Sequence, residues 1–307
     1  MSQSKFSLAD LLTLLGSLGF GFFCFLSINF LTLGDTFISL IQASVITLIL
    51  GGLAFGLRLL KRAGGSFKTC IILEFVLCGL FLLSAYAATF PFSHYFSVYV
   101  QKAEIQEVIL SNINQAEGLY TEYEAYYKKR EKRYEDHLKS VVKAKGVCPS
   151  CYNSLGFNSA IQDDINIKQR IEILDAQLNP PNYKIIKEEN LTWLYASKEY
   201  VVNWSPLRII EVVNTLESEI SSWEAQLIEL SEWSAPNESA EDYYSNLVDT
   251  DVSNNFSELK SPKPLSLVLA IGFYVIMLLS YFVSKRDPKY PGLKVMFGTV
   301  GVKDNEL

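Results

Sequence analysis

Histidine is nearly missing from this chain. Two occur in 307 residues, His94 and His137, so acid–base chemistry built on imidazole has little to work with. There is no Gly-rich phosphate loop, no G-x-S-x-G elbow, no H-E-x-x-H pair and no second C-x-x-C. Those absences remove the sequence grounds for a nucleotide hydrolase, a serine hydrolase, a zinc protease and a four-cysteine zinc site. Cysteine is scarce at five. Positive charge is short too, with 27 Lys and Arg against 33 Asp and Glu. That balance argues against nucleic acid as a partner. No catalytic residue, cofactor or metal is expected, and the chain is not expected to be an enzyme.

Apolar residues, by contrast, are plentiful. They make up 49 % of the chain, charged residues make up 20 %, and mean hydropathy is +0.17. This average is a mixture of two populations. Residues 101–262 carry a net charge of −11, and the rest of the chain carries +5. A single soluble globule is excluded by that split.

Four stretches are long and apolar enough to span a bilayer: 11–33, 36–57, 69–90 and 265–284. About 20 apolar residues at ~1.5 Å each cover a ~30 Å hydrocarbon core. In lipid the backbone has to satisfy itself, and no barrel-like alternation is present, so helices are the expected form. Gly34-Asp35 makes the first two spans a tight hairpin. Orientation follows from basic residues. Arg58, Lys61, Arg62 and Lys68 follow span two, and Lys285, Arg286, Lys289 and Lys294 follow span four. The positive-inside rule then places both termini in the cytoplasm and residues 91–264 outside, in a multi-pass protein of the plasma (inner) membrane. The first span is longer than a signal-peptide core and no A-x-A site follows it, so cleavage is not expected. This topology resembles the tetraspanin plan of a short first and a large second outer loop. The resemblance covers topology only, because the Cys-Cys-Gly motif of that family is missing, and it carries no function to this chain.

Within the spans, Ser17-x-x-x-Gly21 and Gly52-x-x-x-Gly56 have the spacing of helix-packing small residues. They suit contacts inside one four-helix unit or a homo-oligomer seam. Glu74 is the one ionisable residue well inside a span, and its polar company at depth is thin: Asn29, Gln42, Ser44 and Thr47. An intramembrane carboxylate is a functional candidate, either on an ion path or paired with Arg62 or Lys68.

The outer segment reads as helical. Residues 96–145 are expected to form one long helix. Tyr120, Tyr127 and Tyr134 lie on one heptad row, and Ala116, Tyr123 and Arg130 on the other. A second helix over 206–233 follows Ser205-Pro206 and repeats apolar residues at Ile209, Val213, Leu216, Ile220, Trp223, Leu227 and Leu230. A shorter one, marked by Ile167, Ile171, Leu174 and Leu178, ends before Pro180-Pro181. Residues 184–204 are expected as a short strand pair or irregular cover, and 235–262 as a flexible acidic return. The expected fold is therefore an all-α membrane protein whose extracytoplasmic domain is an elongated, coiled-coil-like stalk. The C-x-x-C at Cys148 and Cys151 suits a turn disulfide in an oxidising compartment, a pair of free thiols, a redox centre or part of a zinc site.

Three functions fit these features. One is a scaffold or interaction subunit of a cell-envelope complex, such as a secretion or transport apparatus, with membrane lipid and other envelope proteins as partners. The others are a homo-oligomeric channel or transporter using Glu74, and a membrane sensor.

Overall fold

A computed structural model describes residues 7–62, 67–245, 256 and 261–285, and all regular structure among them is helical. The chain divides into two compact units, 1–102 with 253–307, and 103–252.

The first unit is apolar. It contains α1 (Leu8–Leu31), α2 (Thr36–Arg62), α3 (Phe67–Val100) and, at the far end of the chain, α9 (Pro264–Met277) and α10 (Leu279–Val283). Ser7 starts α1, with its amide donating to Asp10 Oδ2 at 2.7 Å. The hairpin between α1 and α2 works because Gly34 adopts a φ of 94°, a conformation side-chain-bearing residues avoid. Its amide donates to Asn29 O at 2.9 Å, and Asp35 then caps α2 by accepting from the Ile38 amide at 2.9 Å.

Three segments, Leu8–Leu31, Thr36–Arg62 and Thr69–Val100, are long and apolar enough to cross a membrane. Leu14, Leu18 and Phe22 on α1, Leu40 and Leu48 on α2, and Phe75, Leu82 and Leu83 on α3 face outward. So wide an apolar surface needs lipid rather than water, and it marks the chain as a membrane protein. The fourth apolar stretch divides at Leu278 into α9, of 14 residues, and the five-residue α10. The division is local: the Leu278 amide still donates to Tyr274 O at 3.0 Å, and the Phe282 amide to Leu278 O at 2.9 Å.

Pro91 does not end α3. Proline removes one helical hydrogen bond, but packing on both sides supports the helix through it. Phe92 stacks on Phe20 of α1 with ring centroids 4.6 Å apart, and Ser93 hydrogen-bonds Ser266 of α9 at 2.5 Å.

The second unit is built on α4 (Lys102–Lys143), with α5 (Pro149–Ser154), α6 (Asp163–Leu178), α7 (Pro181–Val202) and α8 (Pro206–Glu232). The long helix expected from residue 96 thus begins at 102, after a turn at Gln101. Ile105, Ile109, Ile113, Ala116, Tyr120, Tyr123, Tyr127, Arg130 and Tyr134 are its buried row, spaced by threes and fours. Tyrosine is too large for close helix contact, and its rings fill the gaps to neighbouring helices while the phenols of Tyr120, Tyr123 and Tyr134 find partners. Tyr123 donates to Leu178 O at 2.8 Å, and Tyr120 accepts from Asn190 at 2.7 Å and lies 6.0 Å from the Trp223 ring.

Residues 184–204, expected as strands or irregular cover, are largely α7. Pro181 occupies its first turn, where the missing amide costs nothing, and Tyr183, Leu194, Ser197 and Val201 form its buried face. Its β-branched and aromatic content masked that face. The first part of the expected flexible return, 235–245, is packed: Ala235 and Tyr243 are buried, Tyr134 donates to Pro236 O at 2.9 Å and Tyr126 to Glu241 O at 2.6 Å. Residues 246–255 and 257–260 lie outside the described residues.

Gly21 tests the packing of α1 on α2. A Cβ there would overlap Thr47 Oγ1 on α2, whereas a Cβ on Gly52 meets nothing. Gly21→Ala is expected to destabilise the purified protein by about 1–3 kcal/mol. Thr47→Ala should relieve most of that loss, and Gly52→Ala should leave the unfolding midpoint unchanged.

Candidate functional site

Polar side chains of the apolar unit collect at one end, where α1 begins, α2 and α10 end, and α3 begins. Asp10 and Arg58 form an ion pair at 2.6 Å with both side chains 3 % exposed. The Ser280 hydroxyl donates to Asp10, and the Ser280 amide lies 3.4 Å from Thr13 Oγ1. One carboxylate therefore joins α1, α2 and α10. Arg58 Nε and one terminal nitrogen remain without a hydrogen-bond partner. The guanidinium lies 5.7 Å from the Phe55 ring centroid, a cation–π contact.

One residue further along α10, Tyr281 faces the other way. Its hydroxyl donates to Glu74 on α3 at 2.5 Å, its backbone carbonyl accepts from Lys61 on α2 at 2.8 Å, and Lys61 Nζ sits 4.4 Å from its ring centroid. Glu74 is thus tied to Tyr281 beside Lys61. These two polar clusters, side by side on α10, are the candidate functional site.

The opposite end of the helices holds a serine and a histidine. Ser27 Oγ and His94 Nδ1 share a hydrogen bond at 2.9 Å, and both side chains are fully buried. Between the two ends the core is aromatic and aliphatic, with Phe20, Phe81 and Phe92 buried and Phe273 against them. Asn29 is buried with Oδ1 unpartnered, while Gln42 is exposed on α2. Ser17 donates to Thr13 O at 2.9 Å and lies against Gly51, Gly21 lies against Thr47, and Gly56 faces Leu77 of α3. These three small residues are packing positions inside the unit, and the space beside Gly52 is open.

The second unit holds its own buried cation. Arg130, 1 % exposed, makes a two-pronged pair with Glu238 at 2.5 and 3.0 Å. It also donates to Ser231 O at 2.6 Å, Trp233 O at 2.5 Å and the Tyr126 hydroxyl at 3.0 Å. The planar fork suits this many acceptors, and it clamps the chain leaving α8 onto α4. Burial opposes the charge, but the bonds to Glu238 outweigh it and hold Arg130 above the usual guanidinium value. Next to it, Glu131 on α4 has a buried, unpartnered Oε1. Burial, then the Asp175 carboxylate of α6, pushes its carboxyl up to about 7, with Lys128 opposing.

Cys148 and Cys151 are joined in a disulfide at the start of α5. Among the seam residues, Leu216, Trp223 and Leu227 of α8 are buried against the unit's core, while Ile220 and Leu230 are half-buried. Among the described residues no group of His, Cys, Asp and Glu is arranged to hold a metal ion.

From the sequence Arg58 and Lys61 served only to set orientation, and Asp10 and Tyr281 were not singled out, although a signal for the Asp10–Arg58 pair existed. Asp10 precedes Gly34 by 24 residues and Arg58 follows Asp35 by 23. Residues equally far from a hairpin turn meet across it.

This architecture is that of a helical membrane protein with a second, polar helical unit. No protein-family model, curated protein or solved structure matches the chain.

Removing one partner of a buried ion pair strands the other charge, whereas replacing both is often nearly neutral. Arg58→Met alone is therefore expected to lower stability by about 3 kcal/mol, and Asp10→Leu with Arg58→Met should recover most of it in a denaturant-unfolding series. Glu131 supplies a pH dependence. Its folded pKa lies above the unfolded value of 4.5, so between the two values the folded state holds more protons than the unfolded state, and stability falls as pH rises through that window. Below the window the group imposes no penalty. Glu131→Gln should flatten the unfolding midpoint between about pH 4.5 and 7 and raise stability at pH 8 by on the order of 1 kcal/mol, a value discounted for its partial exposure.

Proposed function

We propose that this protein is a non-enzymatic membrane scaffold, an interaction subunit of a cell-envelope assembly such as a secretion or transport apparatus. The observation that carries the reading is how its buried charge is used. Asp10 with Arg58, and Arg130 with Glu238, each join separate stretches of chain within one unit. Such clamps suit a rigid platform. In this reading α9 and α10 together make the fourth span, both termini lie in the cytoplasm, and residues 91–264 lie outside. The disulfide Cys148–Cys151 supports that side, since such bonds persist in oxidising compartments. The α4 and α8 seams, where Tyr120 meets Trp223, serve as a coiled-coil-like stiffener of the outer unit, and its exposed surface meets the partner.

Glu74 supports a transporter as the second reading, because an intramembrane carboxylate is a natural ion ligand. The aromatic filling around Phe20 and Phe92, in the middle of the helices, weighs for the scaffold instead. Tyr195 and Val202 lie seven residues apart on α7, so they share a face, and both are exposed. Native mass spectrometry of the full-length protein released from its membrane is expected to show a fixed-ratio complex with unrelated subunits. Tyr195→Glu with Val202→Glu should break that complex without changing the unfolding midpoint. A particle containing this chain alone, unchanged by the substitutions, would overturn the scaffold reading.

A further inference from the structure

The polar unit contains a cleft of about 330 Å³ lined by α4, α7 and α8 and by Gln177 of α6, a volume within the range of small-molecule sites. Its wall is aromatic. Tyr120 comes from α4, Tyr183 from α7, and Trp223 and Trp233 from α8 and its end, with Gln226 and Glu229 of α8 beside them. Tyr120, Tyr183 and Trp223 are almost wholly buried, and Trp233 is half-buried. Such rings present negative faces that favour a cation.

Two further observations give the cleft a sign and a polarity. Among the described residues no Lys, Arg or His lines it, whereas the exposed Glu229 does, so the formal charge of its lining residues is negative. The Tyr183 hydroxyl is buried and has no hydrogen-bond partner, although its side chain is 5 % exposed. A buried unpaired hydroxyl is costly, and because Tyr183 is one of the cleft's lining residues, a ligand seated there that draws the hydroxyl toward it supplies the missing partner. Tyr120 differs in this respect, because its hydroxyl is already taken by Asn190 at 2.7 Å. Burial, with Glu124 next, raises the pKa of Tyr183, so it remains a neutral phenol and can accept an N–H.

We propose that this cleft binds a small organic primary ammonium ion. The rings contact its cation, Glu229 balances its charge at the rim, and the Tyr183 hydroxyl accepts one of its N–H groups. A neutral sugar or alcohol would leave the carboxylate unused, and an anion would be repelled by it. The inference goes beyond the scaffold reading and does not depend on it, because it rests on the cleft alone.

The test uses full-length protein in lipid nanodiscs, with n-butylammonium as the probe and tryptophan fluorescence as the readout. Two of the chain's four tryptophans line the cleft. The expected result is a saturable change, with n-butanol, the uncharged analogue, binding at least tenfold more weakly. Glu229→Gln should weaken the probe about fivefold, because the exposed rim charge acts in part through solvent. Tyr183→Phe should weaken it about tenfold, the worth of one hydrogen bond to a charged group. Tyr183→Phe should also leave the unfolding midpoint unchanged or raised, since it removes an unpartnered hydroxyl. The proposal is overturned if n-butylammonium gives no saturable response, if n-butanol binds equally well, if neither variant alters the affinity, or if glucose saturates the cleft instead.

Discussion

A charge taken out of water has to meet its partner inside the protein, and both units of this chain are organised around that constraint. In the apolar unit the partner of Arg58 is Asp10, held also by Ser280. In the polar unit the partner of Arg130 is Glu238. Each pair joins stretches of chain far apart in sequence, so helices that would otherwise slide on apolar contacts gain a definite register. Apolar packing is tolerant of such sliding, because lipid tails and leucine side chains are chemically alike. A buried ion pair is not tolerant, since a shift of one turn leaves both charges stranded.

The rest of the apolar unit follows from this pairing. With α1 and α2 locked at one end by charge and at the other by the Gly34 turn, the close approach at Gly21 and Thr47 is set. The aromatic cluster around Phe20 and Phe92 then fills the space to α3 and α9. α10 completes the site by presenting Ser280 to one cluster and Tyr281 to the other. In the polar unit the tyrosines of α4 play the complementary part. Their size keeps the helices apart, and each hydroxyl that finds a backbone or amide partner lowers the cost of burial. Among α4, α7 and α8 that spacing leaves an aromatic cleft and one unmatched hydroxyl.

Much of this was legible in the residues. Long uncharged runs cannot avoid being helical in lipid, and three of the four expected spans are single long helices. The buried rows of α4 and α8 follow the three- and four-residue spacing already visible at Ala116, Tyr120, Tyr123 and Tyr127 and at Leu216, Trp223 and Leu227. Less legible was α7, whose isoleucines, valines and aromatics favour strands in isolation, a preference overridden by packing. Pro91 is a related case: its local effect is real, yet neighbours on both sides hold α3 together. The packing at 235–245 was hidden because Glu238 reads as one acid among many until Arg130 is placed beside it.

The sequence by itself determined the division into an apolar and an acidic half, the helical class and the registers of the strongest amphipathic faces. All of these arise from periodicity and hydropathy, which are local properties. The tertiary structure alone decided that Glu74 meets Tyr281, that Asp10 meets Arg58, and that the Tyr183 hydroxyl is buried without a partner. Side-chain pairing across helices depends on rotation and depth between elements distant in the chain, and no local pattern encodes either.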